Sequence, residues 1–488
     1  MTLLRGSAGA ITFGLIGYLF LVEIVSGILQ GFYVPLIPDL VEHLGIRDAD
    51  FNWFEAAQLL VAALSVPILA KLGDMYGHKR ILLVSTVLTA GATWWLAFAG
   101  DFTSFLVAWS LQAFYTVWLP LEIALIFDRG RRTGTAASAT RKAAGFLVVA
   151  LQSGAIVGAL LGGRIFAAFD ENVTLTLMVP AVAVTLVFFA ILFGVPESQP
   201  LPGRSLDAVG FGLLSLGLLL ITAGLTFLRI TGPESWWVYA LMVAGVLVFV
   251  PWARYELRKD DPAIDLRVMR QPNMWPVQLT AALIGISLLG AQAPLATFAG
   301  TDREEVGYGL SLDATDISYL IGAYLVSLIV GALLFPLLSR LTTPRVALIV
   351  AAFAVAIGYA LFLPFHDTVV HVFTNMIVAG LGAGALVGAL PAAAAAAAPR
   401  GQTGIATAMT NTTKTIGGSF ASSVFAVLLA VGATQLVGST ASSLFGYLTV
   451  FSICAGGALV AAVLLFLVPK LAFADADVAR EAVPTTTL

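Results

Sequence analysis

The 488-residue chain is 59% hydrophobic and only 11% charged, with a net charge of −3 and a mean hydropathy of +0.95. Soluble domains carry about 25% charged residues, so this composition excludes a water-soluble globule and points to a chain that crosses a bilayer many times. The near-neutral balance argues against a nucleic-acid partner. The single cysteine, Cys454, allows neither an intrachain disulfide nor a cysteine-based metal site.

Fourteen apolar segments follow in chain order, at 12–37, 51–72, 81–99, 103–127, 141–165, 174–195, 207–229, 236–256, 274–299, 315–339, 344–364, 368–396, 404–432 and 443–468. At roughly 20–28 residues each can span the hydrocarbon core as a helix. The first follows a basic residue, as a signal peptide would, but it runs on to Pro38 and is expected to be a retained span. Alternate connections gather Lys71, Lys79, Arg80, Arg129, Arg131, Arg132, Arg141, Lys142, Arg204, Arg254, Arg258, Lys259, Arg267, Arg270, Arg340, Arg345 and Arg400. The opposite side holds only Arg47, Arg164, Arg229 and Arg303, and is rich in acids. This positive-inside asymmetry predicts that both termini are cytoplasmic. No connection is long enough for a soluble domain, and the polar tail after Lys470 is expected to be disordered.

The sequence TGTAASATRKAAG, from Thr133, echoes TGIATAMTNTTKT, from Thr403, and each opens a span from the basic side. A repeat of two six-span halves, a common transporter plan, would leave two extra spans in the middle.

Spans 2 and 3 are joined by AKLGDMYGHKR, residues 70–80. It resembles the G-x-L-a-D-r-x-G-x-[RK] loop of the major facilitator superfamily, with Leu72, Gly73, Asp74, Gly77, Lys79 and Arg80 in place, and Ala70 and Met75 departing from it. Span 4 is similar to the R-x-x-Q-G…P segment of drug:proton antiporters at Gln112 and Pro120, with Trp109 at the arginine position and Ala113 at the glycine. Span 5 resembles the antiporter G-P-x-x-G-G motif at Gly158, Gly162 and Gly163, with Ala159 for proline. VPES (195–198), LDAVGFGLL (206–214) and YELRKDDPAIDLRVMRQ (255–271) look like the linkers around the two central spans of the fourteen-span branch.

The resemblance implies an all-α integral membrane protein of the major facilitator fold. Its expected parts are a six-helix bundle at 1–200, two inserted helices with linkers at 201–272, a second six-helix bundle at 273–470 and a tail at 471–488. It also implies that the 73–80 loop is a conformational latch. Gly73 and Gly77 permit a tight turn, and Asp74 would accept hydrogen bonds from helix-terminal amides or a basic neighbour.

The aspartate this branch usually has in span 1 is absent, its place being Ser26, and so is the span 4 arginine used in proton coupling. Spacing suggests replacements. Glu23, Ser26, Gln30 and Tyr33 share one face of span 1; Glu55, Gln58 and Ser65 share one face of span 2; Gln112, Tyr115, Thr116 and Glu122 cluster on span 4. A polar membrane face must meet protein or a water-filled cavity, so the stripes are expected to line an acidic, aromatic-edged pocket. Glu23, the deepest, is the expected proton carrier and Glu122 the second candidate. The alternatives are a structural hydrogen-bonding role for Glu23, a helix-end carboxylate satisfied by Arg129 or Lys142 for Glu122, and an interfacial position for Glu55. On span 13, Asn411 and Lys414 are expected at the cavity, with Lys414 either a counter-ion or snorkelling to the cytoplasm. His43, His78, His366 and His371 show no metal spacing and are expected at the surface. No phosphate-binding glycine loop appears, so ATP is not expected as the energy source.

The function implied is proton-driven export of small amphiphilic molecules, cationic or weakly basic, such as drugs or secondary metabolites. The chain is expected to be no enzyme, to need no cofactor or metal, and to act as a monomer in the plasma membrane. Two alternatives stay open: an importer or facilitator of the same fold, and a non-transporting membrane sensor.

Overall fold

A computed structural model describes residues 13–132, 136–199, 206–259, 262–397, 403–431 and 440–467. The polar tail expected at 471–488, together with Arg204, Arg400 and the first residues of the Thr133 echo, lies outside them.

The described residues form helices and no strand. Span 1 is α1 (Phe13–Gly31), a 3₁₀ turn (Val34–Leu36) and α2 (Ile37–His43). Spans 2 and 3 are α3 (Asp48–Tyr76) and α4 (His78–Ala97). Span 4 is α5 (Phe102–Gln112), a 3₁₀ stretch (Ala113–Val117) and α6 (Trp118–Arg132). Spans 5 to 8 are α7 (Ala136–Ala168), α8 (Val173–Gly194), α9 (Ala208–Thr231) and α10 (Trp236–Glu256). A single turn, α11 (Leu266–Met269), precedes span 9, which is α12 (Trp275–Leu288) followed by α13 (Gln292–Gly300). After the turn α14 (Arg303–Val306) come α15 (Ala314–Leu341), α16 (Pro344–Ala360), α17 (Val369–Ala397), α18 (Thr403–Ala430) and α19 (Leu444–Phe466). Among the described residues, thirteen spans are long and apolar enough to cross a membrane; α16, at 17 residues, is a shorter apolar helix in the eleventh place.

Spans 1, 4 and 9 are expected as continuous helices but are broken, and prolines and glycine account for the breaks. Pro35 lies in the 3₁₀ turn of span 1, Pro120 follows that of span 4, and in span 9 Gly290 lies in the turn between α12 and α13, with Pro294 in the first turn of α13. A proline lacks the amide that would bond four residues back. Six helix starts elsewhere are capped by side chains. Asp101 accepts from the Thr103 and Ser104 amides at 3.0 Å each, and Asn172, Asp207, Asp313, Thr343 and Ser443 cap α8, α9, α15, α16 and α19. Each cap stabilises its helix by about 1 kcal/mol.

The packing repeats. In the first half α1 lies against α7, and α4 against α8; in the second, α12 lies against α18, and α16 against α19. Thus α7 and α18, which begin in the echoed sequence, hold equivalent places. Glycine allows the backbones to touch: a Cβ on Gly27 would sit 2.0 Å from the Leu151 carbonyl, and one on Gly417 2.1 Å from that of Ala282. The central pair α9 and α10 pack on each other and, through α9, on the α3–α18 seam, where Trp53, Leu225 and Ala426 form a small separate core.

Candidate functional site

Glu23 sits in the middle of α1, and Glu122 in the first turns of α6, which the 3₁₀ break in span 4 re-aims. Both side chains are fully buried. All four carboxyl oxygens lack a hydrogen-bond partner among the described residues, and Glu122 lies within electrostatic reach of Glu23. The helix-end reading has Glu122 satisfied by Arg129 or Lys142; neither of its oxygens has a hydrogen-bond partner although Arg129 is itself buried, and the Lys142 side chain lies outside the described residues. Burying an ionised carboxylate without a partner costs several kcal/mol. A pair held this way is suited to taking up and giving off a proton when the surroundings change.

Toward the acidic side of the membrane, Tyr33, Gln58 and Gln112 come together. The Gln112 amide donates to Tyr33 Oη (2.8 Å) and Thr93 Oγ1 (3.2 Å). The Gln58 amide donates to Gln112 Oε1 and to the Trp109 carbonyl, both at 3.3 Å. Spans 1, 2, 3 and 4 are thus tied at one node, of which Thr93 was not anticipated. Trp109, at the family's arginine position, stacks on Phe105 at 5.6 Å and meets Tyr33 edge-on at 5.1 Å. An aromatic wall stands where a cation would be. Tyr115 is buried beside Trp118, whereas Gln30 is exposed and outside the node.

The second half has its own polar set. The Gln278 amide donates to the Ala406 carbonyl (3.2 Å) and Thr410 Oγ1 (3.1 Å), and Thr413 donates back to Gln278 Oε1. Asn411 is exposed and Lys414 half-buried. No carboxylate is paired with Lys414 among the described residues, so it is not a counter-ion in this structure.

Several contacts join the halves, all on the side opposite the 73–80 loop. Tyr447 Oη donates to Asp48 Oδ2 at 2.7 Å and lies 3.1 Å from Thr297 Oγ1. Ser419 donates to the Ala56 carbonyl at 2.7 Å. The Gly163 amide donates to Ser318 Oγ at 3.1 Å, and Arg164 to Tyr319 Oη at 2.8 Å. Glu55, for which an interfacial position is the alternative, is buried at 7% exposure and lies close to the Ala293 backbone of the second half. Gly158 and Gly162 bring α7 against the Ile28 and Phe32 backbones, while a Cβ on Gly163 would meet the Ala314 carbonyl at 2.2 Å. Sequence alone places Asp48 among the outer acids and gives Tyr447 no signal, because their pairing spans 399 residues.

The 73–80 loop is clasped by the end of span 6. Gly77 turns the chain at φ +105°, and a Cβ there would lie 2.6 Å from the Glu197 carboxylate. Glu197 Oε1 accepts from the Lys79 amide (2.9 Å), while Ser198 Oγ accepts from the His78 amide (2.8 Å). Lys79 Nζ donates to the Leu192 carbonyl, and Arg80 lies 3.7 Å from Glu197. The amides at the start of α4 are thus taken by Glu197 and Ser198 rather than by Asp74, whose Oδ1 lies 3.3 Å from His78 Nε2. His78, expected at the surface, is buried at 4% exposure. Gly73 packs against Leu121 of α6. The VPES segment reads as a linker, but its last two residues are the loop's clasp.

Among the described residues no group of three or more His, Cys, Asp or Glu side chains is placed to hold a metal. The fold matches solved transporters at low identity. A nucleoside transporter, NupG, aligns with a TM-score of 0.63 at 13% identity, covering 93% of this chain and all of that one. A peptide transporter of the POT family aligns with a TM-score of 0.65 at 16% identity, covering 93% and 96%. In sequence, the chain is 28% identical to the cephamycin export protein CmcT of Amycolatopsis lactamdurans, over 89% of this chain and 88% of that protein. It is 26% identical to the puromycin resistance protein pur8 of Streptomyces alboniger, over 90% and 87%. It is also 27% identical to a triacylglyceride transporter of Mycobacteroides abscessus, over 77% and 74%. These relatives are transport proteins, not enzymes. The Major Facilitator Superfamily model matches residues 19–422, and the chain, a multi-pass membrane transporter, belongs to that family.

Proposed function

We propose that this transporter exports small amphiphilic molecules, cationic or weakly basic, in exchange for protons. The observation that carries the reading is the buried, partnerless Glu23–Glu122 pair between spans 1 and 4. A carboxyl pair sealed from water holds a proton; opening to the cytoplasm hydrates it and lets the proton go. A cationic substrate stabilises the ionised form and so competes with the proton, which gives antiport. A membrane potential of 100 mV adds about 2.3 kcal/mol for each net charge moved. The roles of two relatives, cephamycin export and puromycin resistance, support the outward direction.

In this reading the halves at 1–200 and 273–470 rock about the central site, with 201–272 as the inserted pair. The protein works as a monomer in the plasma membrane with both termini cytoplasmic, so the contacts at Asp48, Gly163 and Ser419 close the outer side. A cytoplasm-dependent reporter should be active when fused after Leu488 and silent near Asp302; the reverse pattern overturns the orientation.

The decisive experiment is accumulation of a compound panel in everted vesicles, with proton release read in parallel. Uptake that stops when the proton gradient is collapsed supports antiport. One observation favours a facilitator instead, the aromatic Trp109 in place of the coupling arginine; gradient-independent equilibration of the same compounds would establish it.

A further inference from the structure

The end of α10 on the side of the 73–80 loop carries a basic hollow that the transport reading does not use. Its volume is about 340 Å³, and Pro251, Arg254, Tyr255, Arg258 and Lys259 line it. Their spacing puts all five on one stripe of the helix and its continuation. Arg254 and Arg258 are exposed. The Lys259 ammonium lies 5.6 Å from the centre of the Tyr255 ring, whose hydroxyl donates to Asp207 Oδ1 at 2.9 Å and so pins it. Two described acids of this region point away from it. Asp207 and Glu256 are buried in the α9–α10 seam, where a Cβ on Gly210 would lie 2.6 and 2.3 Å from their carboxyl oxygens. Among the described residues, the charged groups that line the hollow are Arg254, Arg258 and Lys259.

What fills it follows from where α10 lies. Its apolar window is only 17% buried, the lowest of the thirteen spans, and that of α9 is next at 28%. The stripe thus faces lipid, at the depth where the apolar helix gives way to charge.

We propose that this hollow binds the phosphate headgroup of an anionic phospholipid. Two guanidinium forks match phosphate oxygens in geometry as well as charge. Lys259 adds a third positive group, and the pinned tyrosine is the amphipathic ring that membrane boundaries favour. A topology signal alone needs basic residues on this side of the bilayer, but does not need three gathered at one hollow.

Native mass spectrometry of the full chain, from detergent containing equal phosphatidylglycerol and phosphatidylcholine, tests this. The expected result is retention of phosphatidylglycerol and not phosphatidylcholine. Arg254→Gln with Arg258→Gln should weaken that retention roughly 30-fold, while Arg340→Gln, which removes an exposed charge on the same side away from the hollow, should leave it unchanged. Equal retention of both lipids, or an equal loss in Arg340→Gln, overturns the proposal. Displacement of the lipid by equimolar glycerol phosphate would also overturn it, showing a site for free phosphate esters. Should the double variant not fold, the lipid competition on the unaltered protein and the single Arg258→Gln variant decide the matter.

Discussion

Tyr447→Phe tests whether the cross-half contacts hold one side of the transporter shut. The substitution keeps the ring, which packs edge-on against Phe298 at 5.3 Å, and removes only the hydroxyl. That hydroxyl makes the 2.7 Å bond to Asp48. Such a bond contributes about 1–3 kcal/mol, depending on the charge of the carboxyl. If it breaks when the side opens, the closed-to-open ratio falls by about 5- to 150-fold. A state populated at about 1% would then rise to about 5–60%. Spin labels at Glu171 and Glu305, exposed on opposite halves of this side, would read the change as a longer inter-label distance. Cys454 is buried and free, so it gives little background labelling. Gly163→Val is the steric counterpart: its side chain must displace the Ala314 backbone, and it should shift the distances in the same direction. A Tyr447→Phe distribution that superimposes on the parent, while Gly163→Val opens, would show that the Asp48 bond contributes nothing to closure.

Glu23→Gln should abolish proton-driven export while leaving substrate binding or energy-independent exchange, and Glu122→Gln should do less; the reverse ranking in everted vesicles would move the carrier to span 4, and normal pumping by both would refute carboxylate coupling through this pair. Asp74→Asn should insert normally and bind substrate but transport severalfold more slowly, because a charge-assisted contact of about 1.5–3 kcal/mol is lost in one gate state. Unimpaired transport would reduce the loop to a topology signal.

Much of this was legible because membrane physics simplifies the code. Apolar runs of about 20 residues mark the spans, and the depth of Glu23 marks it as costly wherever it points. The span 5 glycines are legible through their motif, yet Gly163 touches the other half through Ala314, a contact no local pattern encodes. Glu55 reads as interfacial because its position in span 2 is visible and the second-half backbone near Ala293 that helps to bury it is not. His78 reads as a surface histidine because it sits in a charged loop; Ser198, 120 residues away, buries it. The helix breaks at Pro35 and Pro120 carried a local signal in the prolines themselves, outweighed by the continuous apolar run around them.

Span 1 runs from the proposed proton site to the contacts that join the halves. Glu23 lies on its continuous part, α1; Tyr33 follows the end of that helix and is bonded to Gln112; Pro38, in α2, packs where a Cβ on Gly300 of the second half would meet it at 2.7 Å. The 3₁₀ turn between α1 and α2 lets these two pieces change angle independently, as a continuous helix would not. On the far side of the same node, the break in span 4 separates Gln112 from Glu122. A change in hydration or charge at the carboxyl pair therefore acts on two broken helices whose other ends meet at the Tyr33–Gln112 bond, beside the contacts that join the halves. Adjacency alone does not prove coupling. The Glu171–Glu305 distance measured in Glu23→Gln decides it: if neutralising that carboxyl leaves the closed population unchanged at every pH, span 1 carries no signal, and proton site and gate are independent.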